Sequence, residues 1–143
     1  TLVDVFCTNV KEGGAITKAG DVGTIAQKLI DRMNKGREGP QTGTVIVATN
    51  LGNATRVDGF TVTNGSASTN GGGMYNYNAS PVIGNCTFIN NLASSCGGGI
   101  YNQQYSSPVI SGCSFTNNSA GSVGGGISNQ AYCSPVISNC TFT

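Results

Sequence analysis

The chain of 143 residues has no histidine and no tryptophan, and charged residues make up 9% of it. From Gly59 to Thr143 there is no Asp, Glu, Lys or Arg at all. Each absence removes a class of function. A net charge of +1 without clustered Lys or Arg gives no electrostatic footprint for nucleic acid or for an anionic membrane. No apolar run approaches the length of a membrane span, so no membrane insertion is expected. Hydrolysis of a glycosidic bond needs converging carboxylates, and lyase chemistry needs a base with a cation, so the uncharged stretch cannot supply a catalytic centre by itself. Asp58 and Arg56, two residues apart at its border, read as a solvated pair; no catalytic residue is assigned and no enzyme is expected. Without histidine, and with neither CxxC pairs nor the Asp of calcium-binding turns, no metal site and no cofactor are expected.

What is present is repetition. Ser80-Pro81-Val82-Ile83 recurs as Ser107-Pro108-Val109-Ile110 and as Ser134-Pro135-Val136-Ile137, with triple glycines starting at Gly71, Gly97 and Gly124 and phenylalanines at Phe88, Phe115 and Phe142. A fixed period of this length marks stacked supersecondary units, none of which buries its own apolar face alone. Val57, Phe60 and Val62 align with Ile83, Cys86 and Phe88, then with Ile110, Cys113 and Phe115, then with Ile137, Cys140 and Phe142. Each Cys precedes its Phe by two residues and so shares its face of a strand. This predicts an internal column of reduced cysteines at Cys86, Cys113 and Cys140. Cys7, Cys96 and Cys133 lie off that column, and their pairing stays open. Strands returning to one register after a full repeat form no hairpins; they fit coils of a parallel solenoid, each strand about 4.8 Å from its equivalent. The glycines read as tight corners of positive φ. Asn90, Asn117 and other turn asparagines read as hydrogen-bonded ladders.

Ahead of the repeats, residues 1–17 read as an extended segment. Residues 21–35 read as an amphipathic helix with Ile25, Leu29, Ile30 and Met33 on one face. Residues 37–43 read as a polar loop, 44–48 as a buried strand and 56–63 as the next strand. The organisation expected is thus 1–17 extended, 18–43 helix and loop, and 44–143 coils.

Cys86-Thr87-Phe88-Ile89-Asn90-Asn91, Gly97-Gly98-Gly99-Ile100-Tyr101-Asn102 and Ser106-Ser107-Pro108-Val109-Ile110 together resemble the right-handed parallel β-helix repeat of the pectin-lyase-like superfamily. The type most similar is that of bacterial surface proteins, including the chlamydial polymorphic outer-membrane proteins with their FxxN and GGA[ILV] motifs. Phe88–Asn91 and Phe115–Asn118 match FxxN, and the glycine motif departs as Gly-Gly-Gly-Ile. Phe6–Asn9 with Gly13-Gly14-Ala15-Ile16 matches both. The resemblance implies an all-β, right-handed parallel β-helix of about four coils, with helix 21–35 as its N-terminal cap.

The function expected is that of a non-catalytic, extracellular or cell-surface structural or adhesive protein. The chain stops within a repeat at Asn139-Cys140-Thr141-Phe142-Thr143, whose missing continuation resembles the N-terminus. Head-to-tail self-assembly is therefore expected, with Val3, Val5, Phe6, Asn9 and Ile16 of one copy meeting Ile137 and Phe142 of the next. In the competing arrangement, residues 1–17 fold back as the first coil of their own chain. Tyr75, Tyr77, Tyr101, Tyr105 and Tyr132 fall between each glycine triplet and the following Ser-Pro, and predict an aromatic strip on one side of the solenoid, either a surface for glycans or a protein partner or simple half-buried packing. A carbohydrate-binding or polysaccharide-degrading domain is the alternative. An ice-binding solenoid is the third reading, since an uncharged flat face could order water, but the regular Thr-x-Thr array it calls for is missing. Six N-x-[ST] sequons, at Asn53, Asn64, Asn78, Asn85, Asn117 and Asn139, matter only in a glycosylating host.

Overall fold

The computed structural model describes residues 41–143. Four coils follow one another, each built of four short strands. The first holds β1 (Gln41–Thr42), β2 (Ile46–Thr49), β3 (Arg56–Asp58) and β4 (Thr61–Thr63). The second holds β5 (Gly65–Ala67), β6 (Met74–Tyr77), β7 (Val82–Gly84) and β8 (Thr87–Ile89). In the third are β9 (Leu92–Ala93), β10 (Ile100–Gln103), β11 (Val109–Ser111) and β12 (Ser114–Thr116). In the fourth are β13 (Ser119–Ala120), β14 (Ile127–Asn129), β15 (Val136–Ser138) and β16 (Thr141–Phe142). Equivalent strands pair in parallel into four sheets, β1-β5-β9-β13, β2-β6-β10-β14, β3-β7-β11-β15 and β4-β8-β12-β16. The result is a parallel β-solenoid whose coil-to-coil hydrogen bonds run along one axis.

The register follows the repeat. Val57, Ile83, Ile110 and Ile137 form one column, and Val62, Phe88, Phe115 and Phe142 another. Phe88, Phe115 and Phe142 stack face to face, with centroids 4.9 and 4.7 Å apart. Cys86 and Cys113 are buried, Cys140 is half-buried, and all three are free thiols. Each donates to the carbonyl two residues back, Cys86 to Gly84 at 3.1 Å and Cys140 to Ser138 at 3.2 Å. The expected internal column is therefore present.

Several local expectations change. Gln41 and Thr42, ahead of the expected boundary at 44, already pair with Gly65 and Ser66. Residues 44–48 are not a buried strand. The strand runs Ile46–Thr49 and alternates, with Val47 and Thr49 out and Ala48 in. Residues 56–63 are two strands separated at Gly59, whose φ of 76° turns the chain from one sheet to the next. The extended segment 1–17, with Val3, Val5, Phe6, Asn9 and Ile16, and the helix expected over 21–35 lie outside the described residues.

The first glycine of each triplet adopts positive φ, 70°, 67° and 68° at Gly71, Gly97 and Gly124. The second is required for another reason, close approach of the neighbouring coil. A Cβ on Gly72 would sit 2.7 Å from the Gly98 oxygen, and one on Gly98 2.6 Å from that of Gly125. Backbone bonds at 2.9 Å from Gly73 to Gly98 and from Gly99 to Gly125 thread these corners together.

The asparagine ladders are also displaced from the expected positions. Asn64, Asn90 and Asn117 are exposed left-handed corners, with φ of 58°, 54° and 53°. Of the corner asparagines, Asn78 Nδ2 donates to Asn50 Oδ1 at 2.8 Å as expected, while the longer ladders sit elsewhere. Asn76 Nδ2 donates to Asn102 Oδ1 and Asn102 Nδ2 to Asn129 Oδ1, both at 2.8 Å. Asn91 and Asn118, one residue past each corner, donate to the carbonyls of Val62 (2.9 Å) and Phe88 (2.8 Å). Buried polar groups need such partners. The column through Asn76 ends where Ala48 occupies the first coil, and there the Asn76 Oδ1 has no hydrogen-bond partner among the described residues.

Candidate functional site

The coils present four surfaces on which function could act: the lone charged pair, the tyrosine side, the last described coil and the outward face of the sheet β4-β8-β12-β16. Arg56 and Asp58 point outward from β3 and are the only charged side chains between residues 41 and 143. They are ion-paired, and Arg56 Nε donates to Asp58 Oδ2 at 2.8 Å. The other carboxylate oxygen accepts from Asn85 Nδ2 at 3.0 Å. Partial burial pushes the Asp58 carboxyl up, but the hydrogen bonds from Asn85 and Arg56 and the Arg56 charge outweigh it and hold the group below its ordinary value. A carboxylate so stabilised as its anion, with both oxygens engaged, is poorly set up to take or deliver a proton. Among the described residues no group of three His, Cys, Asp or Glu side chains is placed to hold a metal ion.

The tyrosines divide into two groups instead of one strip. Tyr75 and Tyr101 occupy equivalent outward positions on β6 and β10 and stack at 5.5 Å. Tyr101 is 1% exposed, so it offers no surface to a glycan or partner. Tyr75 covers one side of it, and the Tyr101 hydroxyl donates to Gln130 Oε1 of the next coil. Burial pushes the Tyr101 phenol up, with the nearby Cys96, Tyr75 and Cys133 adding to the effect. Tyr75 donates likewise to Gln103 Oε1 at 2.6 Å, and Tyr77 meets its edge at 6.4 Å.

Tyr105 and Tyr132 form the second group. The corner after β10 holds two consecutive left-handed residues, Gln104 and Tyr105 (φ 55° and 58°), and the corner after β14 holds Ala131 and Tyr132 (φ 55° and 62°). The corner after β6 has only Asn78 at φ 47°. Strand partners there are 26 residues apart at Met74 and Ile100 but 27 apart at Val82 and Val109, so the later corner carries one more residue. That residue throws Tyr105 and Tyr132 outward, where their rings stack at 5.3 Å. Left-handed Tyr and Ala are costly conformations held by the surrounding ladders. Each ring face inside the pair is used by its neighbour, and Tyr132, 81% exposed, carries the open face.

At the end of the stack, Ile137 and Phe142 are 43% and 50% exposed, and Val136 is exposed beside them. Ile137 and Phe142 hold the register positions at which the third coil buries Ile110 and Phe115, whereas Val109, the equivalent of Val136, is itself exposed. The other expected interface residues lie outside the described residues. The sequon asparagines Asn53, Asn64, Asn78, Asn85, Asn117 and Asn139 are exposed, and all but Asn53 are left-handed corners, which accounts for asparagine there on backbone grounds.

One surface escaped sequence reading. The outward residues of the sheet β4-β8-β12-β16 form two columns, Thr61-Thr87-Ser114-Thr141 and Thr63-Ile89-Thr116, with Thr143 bonded to Thr116 at 3.1 Å through their hydroxyls. Ser114 and Thr87 hydroxyls are 3.3 Å apart. Register thus assembles a hydroxyl array interrupted at Ile89, its signal being the Thr-Val-Thr, Thr-Phe-Ile, Ser-Phe-Thr and Thr-Phe-Thr triplets when aligned on the core residue.

A family model described as the right-handed beta helix region matches residues 41–143. No curated protein and no solved structure matches the chain.

Proposed function

The chain belongs to the right-handed β-helix family, and on that premise we propose that it is a non-catalytic structural or adhesive protein of the cell surface or extracellular space. The observation that carries this reading is the pairing of Arg56 with Asp58: the only charged groups of the four coils neutralise one another. Every other polar side chain is an amide, hydroxyl, thiol or phenol, and many of these are bonded into ladders that hold one coil on the next. Such a body transmits register and presents surfaces. The stacked Tyr105 and Tyr132 are the adhesive feature it offers to glycans or a protein partner.

Head-to-tail self-association is part of the same proposal. The contact that would cover Ile137 and Phe142 is of the kind already repeated between coils, a Phe face on a Phe face and strand backbone on strand backbone. A second copy supplying one more coil continues that interface, and a heterologous contact propagates into a filament.

Two assays test the proposal. Incubation with polyuronates and with neutral glycans is expected to give no product; turnover abolished by Asp58→Asn would establish an enzyme instead. Sedimentation of the full chain is expected to show concentration-dependent polymers, lost on deleting residues 1–17 while the circular dichroism of the coils persists. A monomer at every concentration, before and after deletion, rules assembly out.

A further inference from the structure

The hydroxyl face of β4, β8, β12 and β16 has no part in the reading above, and its chemistry differs from that of every other side of the solenoid. Eight outward positions, two per coil, hold Thr61, Thr63, Thr87, Ile89, Ser114, Thr116, Thr141 and Thr143. All are exposed or half-exposed. Seven carry a hydroxyl, none carries a charge, and none is longer than Ile89. Between them point Val62, Phe88, Phe115 and Phe142, the inner residues whose stacking fixes the strands. From strand geometry the array repeats about every 4.8 Å along the axis and about every 6.7 Å along each strand. Both repeats are of the order of those between oxygens on the prism faces of hexagonal ice.

We propose that this face binds ordered water as a lattice, and that the protein adsorbs to ice through it. A hydroxyl is one donor and two acceptor sites, so it can replace a water molecule in a tetrahedral network. The bonds Thr87–Ser114 and Thr116–Thr143 hold side chains of neighbouring coils in fixed positions before any ligand arrives, which lowers the entropy lost on binding. The threonine methyls and Ile89 order the water that lies between hydroxyls. A charged side chain would hold its own hydration shell against that order, and the charged pair Arg56–Asp58 lies around the Gly59 corner on the adjacent sheet. Sugar recognition would use ring stacking, and this face holds no aromatic side chain. The tyrosines sit on β6 and β10 and on the corners that follow β10 and β14.

The test uses the full chain in a supercooled droplet containing a single ice crystal. A gap between melting and freezing temperature is expected, with a faceted crystal inside the gap. Thr116→Lys and Thr87→Lys are expected to close it, Ile89→Thr to widen it, and Tyr132→Ala to leave it unchanged. All four side chains point outward, and a cooperative melt like that of the wild type verifies each fold. Equal melting and freezing temperatures for the folded protein overturn the proposal, as does a gap that Thr116→Lys leaves intact. So does binding to crystalline cellulose or chitin that Thr116→Lys removes, if ice growth is unaffected.

Discussion

The third and fourth coils carry the same core residues in the same register, Ile110 and Ile137, Cys113 and Cys140, Phe115 and Phe142, and at these positions they differ in one respect, the presence of a neighbour. Ile110 is fully buried while Ile137 is 43% exposed; Phe115 is 2% exposed and Phe142 is 50%. Ring-to-ring stacking is the same at 4.9 and 4.7 Å. Burial in this molecule is therefore conferred by the next coil and not by the coil's own sequence, which is the physical content of a one-dimensional repeat. The interior is a column of contacts, and its stability is a sum over interfaces.

That contrast is testable by truncating each ring. Phe115→Ala removes a ring stacked on both faces and should cost about 3–5 kcal/mol in urea melts, with a cavity between coils two and four. A loss below about 1 kcal/mol would place Phe115 in solvent. Asn102→Ala comes next, at about 2–3 kcal/mol, because it strands the buried Asn76 amide nitrogen and leaves Asn129 without its donor. Phe142→Ala should cost only about 1–2 kcal/mol, since half its surface already meets water. Equal losses for Phe115 and Phe142 would erase the distinction between the coils.

The smallest effect is that of pH. Asp58 titrates below its ordinary value, so its contribution is present above the unfolded carboxyl pKa near 3.8 and is lost as pH falls through the lower folded value. With its partner Arg56 largely exposed, the change should stay below about 1 kcal/mol. The melting temperature of the coils should be nearly flat from neutral pH down to the carboxylate range, and Asp58→Asn should remove the residual slope. A steep acid transition that survives Asp58→Asn would show another titrating group in control.

How much of this was legible depended on whether a residue's role recurs at the repeat. The Val57, Phe60 and Val62 positions and their equivalents recur at every coil, and the aligned sequence located the core, the cysteine column and the sheet register. Roles set by what stands one coil away were not legible. Tyr101 is covered because Tyr75 precedes it and Gln130 follows it, and no local pattern distinguishes it from Tyr105. The buried ladder runs through Asn76, Asn102 and Asn129, yet Asn90 and Asn117 stood out because they follow the conspicuous phenylalanines. The hydroxyl face was hidden by Ile89 and Ser114, which break a Thr-x-Thr search while keeping its geometry. The glycine triplets were understood for φ at their first member, and their second members answer to a carbonyl of the neighbouring coil.

Thiol labelling of the native chain, followed by peptide mass analysis, tests the central claim most directly. Cys86, Cys113 and Cys140 are chemically equivalent in sequence and differ only in what covers them. The contact with Cys113 and then burial push Cys86 above the ordinary thiol range, so it should be the slowest to react. The account predicts Cys140 modified in the folded protein, with Cys86 and Cys113 protected until denaturant is added. Fast modification of all three in the native state would contradict a stacked interior.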